Sequence, residues 1–274
     1  MPDYIELGNE RFPRSSSYNP EWMIANASGG ANSIWLAEWL AEELALQPGM
    51  QVLDLGCGRG SSSVFLAREY GVTVWATDLW FSPSENLQRV RDAGVAQRVF
   101  PIRSDARDLP FATEFFDAIV SIDAFPYFGT DDHYLSYLAR FVKPRGVIAI
   151  ALAGFVDELG DVVPEHLAGW IAAEPALRSM HSSPWWRRHW ENSGVVDVEL
   201  ADSMPEGWKC WLDWHKCVAP DNHSEIQALE SDRGRHLTYN RVVARRRADV
   251  NLPDPISSIP ESYSPRPLLR AGES

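Results

Sequence analysis

The sequence predicts an α/β protein built on a mostly parallel sheet, and three observations carry that expectation. Between residues 50 and 152, short apolar runs alternate with amphipathic stretches of helical length, the pattern of successive βαβ units. The run Val147-Ile148-Ala149-Ile150-Ala151-Leu152 is apolar at every position, as a strand covered on both faces requires. A glycine-rich turn, Gly56-Cys57-Gly58-Arg59-Gly60, follows the first apolar run and opens a helical stretch.

Taken in order, Asn19 is placed to cap a first helix, with Pro20 in its first turn and Gly29-Gly30 as its stop. A second helix carries Ile34, Trp35, Leu36, Trp39, Leu40 and Leu44 and ends at Pro48-Gly49. Strands are expected at 52–55, 72–76, 99–103, 118–122 and 146–152, with helices at 61–70, 83–93 and 131–142. Beyond 152 the pattern changes. Residues 155–193 read as helices rich in Trp and His, 195–200 as a strand, and 207–218 and 224–231 as helices. Residues 237–244 read as a last strand whose alternation suggests an edge or antiparallel position. The expected organisation is a helical lid over 1–46, a main domain over 47–247 with helical insertions at 155–193 and 206–232, and a Pro/Ser-rich tail over 248–274.

The chain of 274 residues carries a net charge of -13, which argues against nucleic acid and anionic membrane surfaces as partners. Arg245, Arg246 and Arg247 form the one tight basic run and read as a solvated strand end. The 3 cysteines, Cys57, Cys210 and Cys217, show no paired spacing, and no secretory leader or bilayer-length apolar run is visible, so a cytoplasmic protein with reduced thiols is expected. No histidine pairs with a carboxylate at metal-ligand spacing, so no metal is expected. Of 12 tryptophans, Trp170, Trp185, Trp186, Trp190, Trp208, Trp211 and Trp214 fall in the C-terminal part. They suit either an apolar acceptor pocket or the glue that holds the insertions to the sheet.

The glycine loop sits between a strand and a helix, where backbone N–H groups face a ligand. Asp78 closes the next strand, 24 positions after Asp54 (78 − 54), where an acid can accept hydrogen bonds from ribose hydroxyls. Asp54 inside the loop would repel a pyrophosphate but suits an ammonium, directly or through water; bracing the turn is its other reading. A nucleotide-dependent oxidoreductase would prefer GxGxxG, and here the third glycine comes one position too soon.

Val52-Leu53-Asp54-Leu55-Gly56-Cys57-Gly58-Arg59-Gly60 resembles the first motif of class I methyltransferases that use S-adenosylmethionine (SAM). Asp78 matches their ribose-binding acid, Ser104-Asp105-Ala106 their adenine-capping segment, and Phe116-Asp117-Ala118-Ile119-Val120 their fourth-strand motif. Leu138 to Gly146 resembles the helix and turn before strand five, with Arg145 where typical members have a glycine. The small-molecule group that includes ubiquinone and cyclopropane-synthase-like enzymes is the nearest in kind. The resemblance implies a Rossmann-like, seven-stranded, mostly parallel sheet with helices on both faces, its last strand antiparallel, and helical cap insertions.

It further implies SAM as cofactor, held by Asp54, Gly56, Cys57, Gly58, Gly60, Asp78, Leu79, Asp105, Ala106 and Asp123. Trp80, one position further on, is placed to flank the adenine. Tyr18, Tyr127 and His133 are the candidate catalytic residues, the tyrosines beside the sulfonium and the histidine as a base. His166 and His181 are further base candidates, whereas His215 reads as core packing with Trp208, Trp211 and Trp214. Segments 18–22, 123–128 and the insertion after strand five are expected around the methyl group. The expected acceptor is a small, apolar or aromatic molecule, and a homodimer is compatible with this reading. A non-catalytic SAM-binding protein is the rival from another class.

Overall fold

A computed structural model of the chain describes residues 7–250 and residue 252. The expected tail therefore lies almost wholly outside the described residues. Helix α1 (Pro20–Ala25) starts where the sequence places it: the Asn19 side chain accepts from the N–H groups of Glu21 and Trp22, and Pro20 occupies the first turn. Helix α2 (Ser33–Ala41), capped by Asn32, is buried from Ile34 to Ala41 and packs on α3 (Ser61–Tyr70) and on strands β4 (Phe116–Ile122) and β5 (Val142–Phe155). An all-round apolar helix belongs in such an inner layer. Its one buried acid, Glu38, accepts from the Ser15 hydroxyl at 2.6 Å and from the N–H groups of Ser15 and Arg14, which ties the N-terminal segment to the core.

The remaining strands are β1 (Gln51–Leu55), β2 (Thr73–Asp78), β3 (Val99–Arg103), β6 (Val196–Ser203) and β7 (Leu237–Arg246). They form one seven-stranded sheet in the order β3-β2-β1-β4-β5-β7-β6. β1 to β5 run parallel, and β7 is antiparallel to both of its neighbours. Helix α4 (Pro83–Asp92) lies against β3, and α7 (Ser183–Asn192) against β6. Along the inner strands, successive residues enter two separate apolar clusters. Val52, Ala149 and Ala151 face the α2–α3 side, while Leu53, Ile148 and Ile150 face the other. A sheet covered on both faces accounts for the unbroken apolar runs.

Three expectations need correction. The helix expected over 131–142 is only α5 (Tyr134–Leu138), because the carbonyls of Arg140 and Phe141 already accept from Glu114, Phe115 and Phe116 beside β4. Strand β7 is antiparallel but interior, not an edge; β6 is the edge, and eight consecutive β7 residues from Leu237 are buried. The arginine run is not simply solvated. Arg246 is 6% exposed and donates to the Val142 carbonyl and to Glu114. Arg245 and Arg247 pair with Glu199 and Asp197 on β6. At the turn where typical relatives have glycine, Arg145 still adopts φ +65°, a left-handed conformation that glycine reaches without strain.

Candidate active site

The chain runs outward from β1 through β2 to β3 and then crosses back to β4 on the other side of β1. At such a switch point the loops after neighbouring strands part, and a crevice opens at their carboxyl ends. A cavity of about 350 Å³ lies here, within the usual range for a small-molecule site. Its walls come from the ends of β1 (Leu55 to Gly58), β2 (Thr77, Asp78) and β4 (Ile122 to Ala124), from Ser104–Arg107 after β3, and from the loop between α1 and α2.

The glycine loop is pinned by its own backbone. Gly56 and Cys57 N–H both donate to the Thr77 carbonyl, at 2.9 and 3.0 Å. Gly56 has φ +78°, and a Cβ there would collide with Ala124 Cβ; one on Gly58, at φ +57°, would collide with Ser28 Oγ. The loop thus needs glycine for its conformation and for the close approach of two other segments. Asp78 is locked just as tightly. Gly58 N–H donates to Oδ2 at 2.8 Å, and the N–H groups of Trp80 and Phe81 donate to Oδ1 at 2.8 and 3.0 Å. Three of its roughly four lone-pair sites are taken. One site, on Oδ2, is left open to the cavity and any ligand there, fewer than the two that an acid binding both ribose hydroxyls would use.

Asp105 sits across the cavity, with Arg107 bound to its carboxylate through Nε at 2.9 Å and Nη2 at 2.7 Å. The guanidinium hydrogen bonds hold its carboxyl at about 2. The exposed aromatics Trp80 (71%) and Tyr127 (59%) meet edge to face at 5.4 Å between ring centroids beside this cavity.

Of the expected cofactor residues, Gly56, Cys57, Gly58, Asp78, Leu79, Asp105, Ala106 and Asp123 line the cavity, and so does Tyr127. Asp54 and Gly60 do not. Gly60 shapes the turn at φ +83° as the N-cap of α3. Asp54 is fully buried behind the loop, where Ser62 and Ser63 hydroxyls each donate to Oδ2 at 2.6 Å. The bracing reading of Asp54 therefore fits its position, and Ser62, which it holds, lines the cavity in its place.

Burial raises the Asp54 carboxyl to about 6. With its folded value above the unfolded one, Asp54 keeps a proton in the native state that the unfolded chain has already released. Native stability should then fall as pH rises from about 4 to about 6, by at most about 1.4 kcal/mol per pH unit for one group. Asp54→Asn should flatten that slope in urea titrations of the ligand-free protein at several pH values; an unaltered slope would assign it to other groups.

Tyr18 and His133 stand apart from the cavity. The Tyr18 hydroxyl donates to Glu69 at 3.0 Å, and its ring packs on Trp22 and Phe65 over the outer side of α3. Burial and the Glu69 carboxylate push its phenol up. His133 is exposed at the start of α5. The N-terminal residues that do reach the cavity are Ser28, Gly29, Gly30, Ala31 and Ser33, of which the sequence singled out only Gly29 and Gly30, as a helix stop. A double glycine flanked by small residues ahead of the first strand was the available signal. Gly30 has no room for a side chain: a Cβ there would collide with Asp123 Oδ2.

Asp123, at φ +54°, accepts from Ala31 N–H at 2.8 Å and Ala153 N–H at 3.0 Å. It therefore knots the α1–α2 loop to β4 and β5, and burial pushes its carboxyl up. Beyond Asp123 lies a second hollow of about 360 Å³. It shares Gly30, Ala31, Asp123 and Tyr127 with the first and is closed by Trp170, Leu177, Met180 and Trp211. Trp170 belongs to α6 (Glu165–Ala173) and Trp211 to α8 (Gly207–Val218). Glu225, on α9 (His223–Asp232), also faces it.

His215 lies 3.1 Å from Glu225 and is only 3% exposed, and burial pushes its imidazole down. Sequence reasoning read His215 as packing and did not single out Glu225. Trp186, by contrast, is fully buried under the sheet, and Trp185 stacks between His181 and His189. His166 does not reach either hollow: with His236 it binds Asp232 Oδ1, at 2.9 and 2.8 Å. Asp232 and His236 stand four positions apart in the chain, a spacing the sequence reading passed over, whereas His166 is brought to them only by the fold. Asp232 Oδ2 accepts the N–H groups of His236 and Leu237, and Arg235 lies 3.5 Å from His166, so the cluster organises the turn from α9 into β7.

Residues 52–146 match a family model described as a methyltransferase domain. Over these residues the chain contains a methyltransferase domain. Methyltransferase GfsG of Streptomyces halstedii is 32% identical to it over 168 residues, 61% of this chain and 60% of that protein. The chain spans between 28% and 60% of the length of the curated relatives it matches. The methyltransferase domain shares its fold with geranyl diphosphate C-methyltransferase from Streptomyces coelicolor A3(2), solved with Mg2+, geranyl diphosphate and S-adenosyl-L-homocysteine. The TM-score is 0.61 at 21% identity, over 77% of this chain and 78% of that one. The [4+2]-cyclase SpnF has the same fold, with TM-score 0.65 at 17% identity over 81% and 85% of the two chains. At these identities the likeness concerns the fold, and the fold alone does not choose a reaction. Among the described residues, no helix is long and apolar enough to cross a membrane.

Proposed function

We propose that this protein transfers the methyl group of SAM to a small acceptor held in the second hollow. The observation that carries the reading is the shared wall: a nucleoside-sized cavity at the switch point and an aromatic hollow meet at Gly30, Ala31, Asp123 and Tyr127. The charge of the first cavity fits SAM. Among the described residues its lining carboxylates are Asp78, Asp105 and Asp123, and its one lining cation, Arg107, is already paired with Asp105. A sulfonium nucleoside with no phosphate suits that balance, whereas a pyrophosphate would meet repulsion.

SAM supplies an activated methyl group on a positively charged sulfur. The chain's own residues bind, orient and exclude water. Asp78 holds a ribose hydroxyl, Asp105 offers its remaining lone-pair site to the adenine amine, and Trp80 with Leu79 covers the base. Asp123 places a carboxylate on the wall between donor and acceptor, where it offsets the sulfonium charge. Orientation of the two reactants in adjoining hollows can supply about 7–11 kcal/mol of barrier reduction in favourable cases. Residues 1–46 act as a lid in this reading, through the Ser28–Ala31 loop that lines the cavity.

The test is incubation of the full chain with SAM and a broad acceptor panel, read by mass spectrometry for S-adenosylhomocysteine and a methylated product. Product is expected. Tight SAM binding with no product across the panel would favour a non-catalytic SAM-binding protein.

A further inference from the structure

The second hollow combines three carboxylates with three large aromatic side chains. Asp123, Glu174 and Glu225 line it together with Tyr127, Trp170 and Trp211, and no lysine or arginine is among its described lining residues. Asp123 also borders the cofactor cavity, so the sulfonium can serve as its counter-charge. Glu225 borders only the second hollow.

The Glu225 carboxylate is 14% exposed. Trp211 Nε1 donates to Oε1 at 2.8 Å, Asn222 Nδ2 donates to Oε2 at 2.8 Å, and the His215 imidazole stands 3.1 Å from Oε1. A buried charge is ordinarily paired. This one, its carboxyl pushed up by burial, borders a cavity with no lysine or arginine among its described lining residues.

Resting on the methyl-transfer reading above, we infer that the acceptor is a small amine, its ammonium form held against Glu225 inside the box formed by Trp170, Trp211 and Tyr127. Aromatic faces and a desolvated carboxylate both attract an ammonium. The same walls repel carboxylates and phosphates. A neutral alkene or alcohol would bury Glu225 without giving it a counter-charge.

The chemistry balances with the groups present. The ammonium proton passes to the Glu225 carboxylate, which frees the nitrogen lone pair. That lone pair forms the N–C bond to the methyl carbon as the C–S bond breaks and its electron pair stays on sulfur. The products are S-adenosylhomocysteine and a methylated ammonium, and Glu225 returns its proton to solvent. His215 touches Glu225 rather than the acceptor and is a positioning residue.

The experiment uses the full chain with SAM and four probes of similar size: N-methylbenzylamine, benzyl alcohol, benzoate and a monoterpene alkene. Methylation of the amine is expected at least ~10-fold faster than of any other probe, a preference of roughly 1.4 kcal/mol. Glu225→Gln should raise the amine KM by at least about tenfold while leaving SAM affinity by calorimetry unchanged; Glu174→Gln should have a smaller effect of the same sign. If Glu225→Gln fails to fold, the probe preference of the unaltered protein and the Glu174→Gln KM decide. Methylation of the alkene or the alcohol without the amine would overturn the inference but leave methyl transfer standing, as would an unchanged amine KM in folded Glu225→Gln. Absence of SAM binding to the unaltered protein would instead overturn the methyl-transfer reading itself.

Discussion

Replacement of Trp190 by alanine is expected to remove about 3–5 kcal/mol of folding stability, the cost of deleting a large core aromatic. Trp190 lies on α7 with no exposed surface, and its ring meets the edge of Phe125 at 5.6 Å between centroids. Trp186, one turn earlier on the same helix, meets the same Phe125 ring at 5.7 Å. The pair fills the space between α7 and the sheet, beside Val195, Val196 and Val242. Alanine would leave a void that the flanking strands are too constrained to close. A urea titration should show a lower midpoint with little change in slope. Trp80→Ala is the control, because a side chain 71% exposed should cost within about 0.5 kcal/mol. An unchanged midpoint for Trp190→Ala would mean that this tryptophan is not framework and would return it to the list of ligand-facing residues.

Asp78→Ala should weaken SAM binding by about 3 kcal/mol, on the order of 100-fold in Kd. Two losses combine. The ribose loses a hydrogen bond to a charged acceptor, and the N–H groups of Gly58, Trp80 and Phe81 lose the carboxylate that fixes the loop. Asp78→Asn separates them, since its amide oxygen can still accept from two N–H groups but carries no charge; an intermediate loss is expected. Calorimetric titration with SAM measures both. Unchanged affinity in Asp78→Ala would show that the nucleoside does not lie across the end of β2.

Several parts of this site were readable from the chain because they depend on near neighbours in sequence. Gly56 and Gly58 are required by a turn that closes within a few residues, and Asp78 follows from the end of the next strand. Tyr127 lines the cavity, where its position just after β4 put it. Tyr18 does not line it. An aromatic residue before a helix gives no sign of which side of α3 it will reach, and its hydrogen bond to Glu69 draws it to the outer face. Gly30 and Asp123 are 93 positions apart (123 − 30), and only their collision distance shows that the missing side chain of one makes room for the other. Glu225 carried no signal at all: an acid in the first turn of a helix is ordinarily a favourable partner for the helix dipole. The tryptophans were ambiguous for a similar reason, since burial in a core and the lining of an apolar pocket demand the same residue type.

The positions of the strands, the glycine turn and the acid beyond it were legible in spacing along the chain, since each rests on hydrogen-bonding periodicity and backbone conformations that act over a few residues. Which distant carboxylates and aromatics share a wall was decided only when α6, α8 and α9 packed against the sheet. Burial free energy is largely indifferent to direction. Apolar pattern can therefore say that a helix packs without saying which of its polar side chains will be carried inward with it.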